Sequence, residues 1–487
     1  MRRISLSLAL LFACLLVLTA CGSKSSSSSK SASEGGSGVV GADVVPASAT
    51  VFASINTDST SAQWKQAMTL LARVPALQKS LDKSLSSSGI TLADVEQALG
   101  PITNIVKLGT SSKSTQVILT NPKDSTKLKG ILAKDKTEKS ITTEIGSWLA
   151  IAKTQAALDQ FKTAADSGKL ADSNVFKQAI AEISADSLVK AYFKGSAVSS
   201  SALSSLSSSS TSKALKKALA KNQLEWGTMT ASAVAKGLSI EGVFKGKMSM
   251  ANSSLSLLDQ LPSGTSFAVD LDGKALGLDK AVESLRNNAK YGSQIPQMEA
   301  ALGFKLDDLA ALAGSEMSVY GTESGIGLLI KAADATKSKA MLDKAVTLLS
   351  AQLNGSSKSV TIGGVSATEL TFGTTNVYFG VKDSDLFLVT NADAIPGIAA
   401  LSSDSAYKAA AAELSVPASN LGVAYIDFAK LATLAKSNSS VVGSLGSSTG
   451  TKTNLSNLDN LEGLSSLLGY ADANGDKFEL KAFLSVK

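Results

Sequence analysis

The residues that could carry chemistry are few. Asp270 and Asp272 flank Leu271 at the end of an apolar run, and Asp58 closes a comparable run earlier in the chain. Paired carboxylates can exchange a proton or bind a cation, yet an Asp between a strand and a helix more often caps the helix, and capping is the expected role here. Asp472-Ala473-Asn474-Gly475-Asp476 places oxygen atoms at alternate positions, as a calcium loop does. The twelfth loop position, where a bidentate Glu belongs, is Phe483. Asn474-Gly475 is therefore expected to be a type I′ hairpin turn. The glycines of Gly321–Gly327 do not form GxGxxG, no GxxxxGK followed by Ser or Thr opens a helix, and Gly363-Gly364 is expected to be a turn. The chain has no His, so a Ser nucleophile would need Lys as its base; Ser210-Thr211-Ser212-Lys213 has that spacing but lies in a low-complexity tract. Without His there is no Ser-His-Asp triad, HExxH zinc site or facial-triad iron site. The expectation is a protein that is not an enzyme, with no catalytic residue, no cofactor and no metal.

The one residue with a clear chemical fate is Cys21. Met1-Arg2-Arg3 is a short positive region, Ile4 to Ala20 is apolar, and the composition then turns abruptly to Ser, Lys and Gly. That order is a signal peptide, and the apolar stretch is short for a membrane span. Leu18-Thr19-Ala20-Cys21 resembles the lipobox of bacterial lipoproteins, which implies cleavage between Ala20 and Cys21 and a diacylglycerol on the Cys21 thiol. Two or three acyl chains on one residue anchor stably where one would not. The expected location is the extracytoplasmic face of the cell membrane, lipid-anchored. Cys14 lies inside the signal, so the mature chain has no disulfide. Of the 47 Lys and Arg, only Arg73 and Arg286 are arginines beyond the signal. Scattered Lys solvates a surface, whereas phosphate reading favours Arg, so a net charge of +6 does not point to nucleic acid.

The 44% hydrophobic and 18% charged composition is that of a foldable chain. Residues 1–20 are expected to be the signal and 21–43 a flexible Ser/Gly/Lys tether spanning about 25 Å. The remainder exceeds what one core usually serves, and it divides into two similar lobes at 44–250 and 251–487. Val45-Pro46-Ala47-Ser48 has a counterpart in Leu261-Pro262-Ser263-Gly264, and Val74-Pro75-Ala76-Leu77 in Ile295-Pro296-Gln297-Met298. Phe176 aligns with Tyr407, Tyr192 with Tyr425, and the closing strand Leu238 to Phe244 with Lys477 to Phe483. The offsets, 216 from Pro46, 221 from Pro75, 231 from Phe176 and 233 from Tyr192, rise slowly and in order.

Strands are expected at Ala47–Asn56, Thr265–Asp270, Glu316–Tyr320, Ile326–Ile330, Val365–Phe372, Val377–Val381 and Asp385–Thr390. Helices are expected over Ala62–Leu85, Ala335–Leu353 and Asp393–Leu401. Strands separated by only a few turn residues form hairpins, because a parallel crossover needs a dozen or more. The expected fold is α+β: two similar lobes from an internal duplication, each a mainly antiparallel sheet with helices packed on one face. Both lobes carry a Ser-rich stretch after the Tyr192 or Tyr425 strand, Ser199–Ser212 and Ser437–Ser456, expected to be solvated loops.

The stretches Val45–Asp58 and Leu261–Asp272, repeated in two lobes after a lipoprotein signal, resemble the bacterial envelope proteins grouped as domain of unknown function 3352. The resemblance extends over Asp43–Lys487 and brings no activity with it. The expected function is a non-enzymatic, membrane-anchored binding or scaffold protein, its partners being the membrane through the lipid on Cys21 and an apolar ligand or an envelope protein. A solute-binding lipoprotein of a transport system is the alternative, and a hydrolase using Asp or Lys ranks last.

Overall fold

Short strands joined by tight turns account for most of the chain, and they assemble into one sheet. In a computed structural model, the described residues are 39–487 apart from 88, 111–113, 135–139, 185, 198–223, 248–250, 276, 289–291, 353, 374, 398–399 and 438–460. The first half contributes β1 (Ala49–Asn56), β2 (Ile102–Leu108), β3 (Thr115–Thr120), β4 (Ile141–Ile145), β5 (Trp148–Ala152), β6 (Val189–Lys194), β7 (Leu224–Val234) and β8 (Gly237–Gly246). The second half holds β9 (Ser253–Ser254), β10 (Thr265–Asp272), β11 (Glu316–Thr322), β12 (Ile326–Lys331), β13 (Ser356–Ile362) and β14 (Val365–Phe372). It continues with β15 (Thr375–Lys382), β16 (Asp385–Val389), β17 (Ser419–Asn420), β18 (Gly422–Asp427), β19 (Leu464–Asn474) and β20 (Lys477–Val486).

Among the described residues 18 strands form the sheet, while β9 and β17 pair separately. Its order in space is β4-β5-β3-β2-β1-β6-β7-β8 and then β20-β19-β18-β10-β11-β12-β16-β15-β14-β13, with every pair antiparallel. The halves join where β8 runs beside β20, from Lys245 opposite Lys477 to Gly237 opposite Ser485. The α+β class with a large antiparallel sheet is therefore as expected. The expected strands are present, each with ends within three residues of the positions inferred.

The pairing order has a parallel in each half. β1 sits between β2 and β6, as β10 sits between β11 and β18. β2–β3–β5 is matched by β11–β12–β16, and β6–β7–β8 by β18–β19–β20. The second half adds the β13–β14 hairpin beyond β15. Phe176 meets the Tyr192 ring edge-on at 5.2 Å and 86°, and Tyr407 meets Tyr425 at 5.3 Å and 81°.

Three local expectations are corrected. Ala62–Leu85 is two helices, Ala62–Ala72 and Pro75–Ser86, because Pro75 has no N–H to extend the first and instead starts the second. Asp393–Leu401 is not a helix but two short 3-10 turns, Ala392–Ala394 and Leu401–Ser403, separated by Pro396 and by Gly397 at φ +84°. The helix in this region is Ser405–Leu414, whose first amide groups are capped by Asp404. In the β19–β20 hairpin, Asn474 pairs with Lys477, so the loop is Gly475-Asp476. Gly475 has φ +65° and Asp476 lies outside the left-handed region, so this is not a type I′ turn. Gly363-Gly364 is the expected turn, with φ +57° and +82°.

Helices also cover both faces rather than one. In the first half, Phe161 and Phe176 pack with Phe52 and Tyr192 on one face. Leu128 and Ile131 pack with Leu149 and Ile151 on the other. A strand buries both faces when each alternate set is apolar, and β5, Trp148-Leu149-Ala150-Ile151-Ala152, is buried at every position.

Candidate binding site

Paired residues of an antiparallel sheet share a face and alternate with their chain neighbours. In the second half this register places Val269 (β10), Val319 (β11), Leu328 (β12) and Leu388 (β16) in one row across four strands. Val269 is 43% exposed, and Val319 and Leu388 are each 39% exposed. The same alternation puts Leu271, Met317 and Ile330 on this face. At the outer end, Val346 of helix Ala335–Gln352 packs against Phe379 and Leu370, and Phe379 pairs with Leu388.

The corresponding row of the first half is Ala53, Ile105, Ile118 and Ile151. There helices Leu92–Ala98 and Ser125–Lys134 close over the face. A cavity of about 30 Å³ remains among Val95, Leu99, Ile118, Leu128, Ile131 and Ile151. That is room for a water-sized group, far below the few hundred Å³ that a bound organic molecule fills. Helices thus cover Ile118 and Ile151 in the first half, whereas Val269, Val319 and Leu388 stand exposed in the second.

The opposite face of the second half carries a row of charge. Asp272 pairs with Glu316, Lys331 with Asp385, and Asp385 with Lys382. The Lys331 ammonium lies 3.1 Å from Glu316. Above the row runs the 3-10 turn Leu257–Gln260, part of the segment that leads in from the first half. Ser256 N–H and, at 2.7 Å, Leu257 N–H donate to the Glu316 carboxylate. Leu258 N–H donates to Asp270 Oδ2 at 3.1 Å, and Gln260 Nε2 donates to Asp385 Oδ2 at 2.8 Å. Lys331 Nζ also donates to Ser256 Oγ at 2.7 Å. Chain amides occupy Glu316 Oε1 and Asp270 Oδ2, so the cluster fastens a segment to the sheet. Asp270 is wholly buried, and burial first and Glu316 second push its carboxyl up to about 7. Burial also raises Asp385 above the usual carboxylate range, against the hydrogen bond from Gln260.

Asp270 and Asp272, adjacent candidates in sequence, are separated by their surroundings. Asp272 Oδ1 accepts from Lys274 N–H at 2.7 Å and Ala275 N–H at 3.0 Å, which caps a turn rather than the expected helix, whose N-cap is Gly277. Asp58 Oδ1 likewise accepts from Thr60 N–H at 3.0 Å and Thr60 Oγ1 at 2.8 Å, and these bonds hold it below the usual carboxylate range. Asp472 accepts from the Asn252 side chain, and Asp476 lies 3.5 Å from Lys245. Ala20, Cys21, Ser199–Ser212, Ser210–Lys213 and 438–456 lie outside the described residues. Glu316, Lys331 and Asp385 are absent from the candidates that spacing suggests. Each stands at the end of a strand with no motif around it, and only register brings them together.

Residues 104–466 match the family described as Protein of unknown function (DUF3352). The chain belongs to the DUF3352 family. The DUF3352 span contains the exposed row, Asp270, Glu316, Lys331 and Asp385, and runs from within β2 to within β19. No curated protein and no solved structure matches the chain.

Proposed function

We propose that this DUF3352 protein is a non-enzymatic binding protein of the bacterial cell envelope, tethered to the membrane through lipid on Cys21, that holds an apolar ligand on the open face of its second half. The observation that carries the reading is the exposed row Val269, Val319 and Leu388. Exposed apolar rows on a sheet are costly to leave in water and mark binding surfaces. The two halves are read as products of an internal duplication, supported by their matching pairing order and by the Phe176–Tyr192 and Tyr407–Tyr425 ring pairs. On that reading one copy sealed its face with its own helices and the other kept it open. The solute-binding alternative has less support, since β1–β8 and β10–β20 occupy separate stretches of one antiparallel sheet rather than interleaving between lobes.

Native mass spectrometry of the protein lacking residues 1–21 tests the binding claim. The expected result is a co-purified apolar molecule that is lost in Val319→Glu, a change at a half-exposed site that leaves the fold intact. A wild-type protein that neither carries nor takes up such a molecule overturns it. The anchor is tested separately: Cys21→Ser is expected to leave the membrane fraction, and retention there overturns the anchoring claim.

A further inference from the structure

The segment joining the halves is fastened from Asn252 to Gln260. The Asn252 side chain bonds to both Ala473 N–H at 2.8 Å and Ala473 O at 3.1 Å, and β9 pairs with β17. Residues 256–260 then meet the three carboxylates of Glu316, Asp270 and Asp385, each borne on a different strand.

The charges at this contact do not balance. Asp270 is faced by Ser318 and Glu316 from β11 and Lys331 from β12, and Asp385 on β16 has the same Glu316 and Lys331 as neighbours. Asp272 stands two residues along its own strand, Asp259 lies in the 3-10 turn, and Tyr407 approaches from helix Ser405–Leu414. Among the described residues Lys331 is the cation that bonds into this cluster, at Glu316 and Ser256, whereas Lys382 is engaged with Asp383 at 2.7 Å. Asp270 Oδ2 is satisfied by Leu258 N–H, but Oδ1 is buried without a hydrogen-bond partner, as is Ser318 Oγ opposite it. A carboxylate with one bare oxygen, wholly buried beside a second carboxylate, is an unstable arrangement in its ionised form.

We propose that the clasp between residues 256–260 and the second-half sheet is a proton-linked latch, which holds one proton on Asp270 when closed and loosens when that proton is lost. A carboxyl raised in the closed state and ordinary in the open state favours closure at pH values below its closed-state pKa. Closure therefore weakens as the pH rises from the ordinary carboxyl value of 3.8 and levels off above about 7, the value to which burial and Glu316 push Asp270. The latch is independent of the apolar face and stands or falls without it.

Amide hydrogen exchange at Ser256, Leu257 and Leu258, corrected for intrinsic pH dependence and compared with amides of β7 and β8, reads the latch directly. Between pH 6 and pH 8.5 the protection of these three amides is expected to fall by about 10-fold in the wild type, most of it below about pH 7.5, the factor that follows from one proton. In Asp270→Asn, which keeps a neutral group of the same shape, protection is expected to be flat over this range. Glu316→Gln, which removes the charge that helps push Asp270 up, is expected to move the midpoint to lower pH and to make the total fall in protection smaller. It serves also where Asp270→Asn fails to fold. Wild-type protection independent of pH, a pH response retained in Asp270→Asn, or a midpoint unmoved in Glu316→Gln overturns the proposal.

Discussion

Gly237 begins β8 at the seam where the first half meets the second. A Cβ at this position would stand 2.0 Å from the Leu484 carbonyl oxygen and 3.1 Å from the Phe483 ring. Carbon–oxygen contacts between strands settle at about 3.3–3.6 Å, so Gly237→Ala forces β20 to retreat by more than about 1 Å. At this end of the seam Val486 N–H donates to Lys236 O at 2.9 Å. A hydrogen bond lengthened beyond about 3.5 Å is lost. One or two ladder bonds at about 1 kcal/mol each, with about 1–3 kcal/mol of overpacking strain, give a loss of about 2–5 kcal/mol. The sign is the informative part. In an unobstructed strand, replacing Gly by Ala stabilises by about 0.5–1 kcal/mol through backbone entropy. Urea denaturation followed by circular dichroism gives the difference from the midpoint at constant slope. Ser239→Ala, at a half-buried position of the same strand, should change stability by no more than about 0.5 kcal/mol. A Gly237→Ala protein as stable as the wild type, or more so, refutes the close approach of β8 and β20.

Phe176 is fully buried and meets the edges of Phe52 and Tyr192 at 5.9 and 5.2 Å, so Phe176→Ala should lose about 3–5 kcal/mol in the same assay, and Phe176→Leu less. Lys430 Nζ donates to Asp404 Oδ2 at 2.6 Å and Ser263 O at 2.7 Å, and lies 3.7 Å from Asp427, so Lys430→Met should cost about 1–3 kcal/mol at pH 7. Burial alone would raise Asp404, but the Lys430 ammonium and the Tyr407 and Ala406 amides outweigh it and hold this carboxyl below its usual range. A lowered carboxyl contributes stability above its unfolded value of 3.8 that is lost as the pH falls through the folded value. Lys430→Met should consequently lose less stability than the wild type between pH 5 and pH 2, and an equal loss would show that the ion pair does not set the acid limit.

Much of the local structure is legible residue by residue. Gly363-Gly364 between two alternating runs can only be a tight turn, and Asp272 ahead of a turn caps it, because these outcomes depend on neighbours within a few positions. Pro75 likewise carries its helix break in its own ring, although the apolar spacing across it looks continuous. The ring pair Phe176–Tyr192 and its counterpart Tyr407–Tyr425 align in sequence at nearly the same offset, so the recurrence is visible before any coordinate. The charged row is not. Glu316, Lys331, Asp385 and Lys382 are single charges at strand ends, and their meeting depends on the order β11-β12-β16-β15, which skips the β13–β14 hairpin.

The amino-acid sequence alone determined that strands would alternate, turn tightly and run antiparallel, and that no imidazole would be present for catalysis or metal binding. Those properties follow from side-chain type and near-neighbour spacing. Tertiary structure alone decided which alternating face is covered and which carboxylate is buried. Ile118 and Val319 occupy matching rows, yet the first is roofed by helices Leu92–Ala98 and Ser125–Lys134 and the second stands 39% exposed. Asp270 and Asp272 lie on one face of one strand, yet only Asp270 is sealed, because a turn arriving from the other half of the molecule lies across it. Burial is a property of what arrives from far along the chain, and register and crossing decide that.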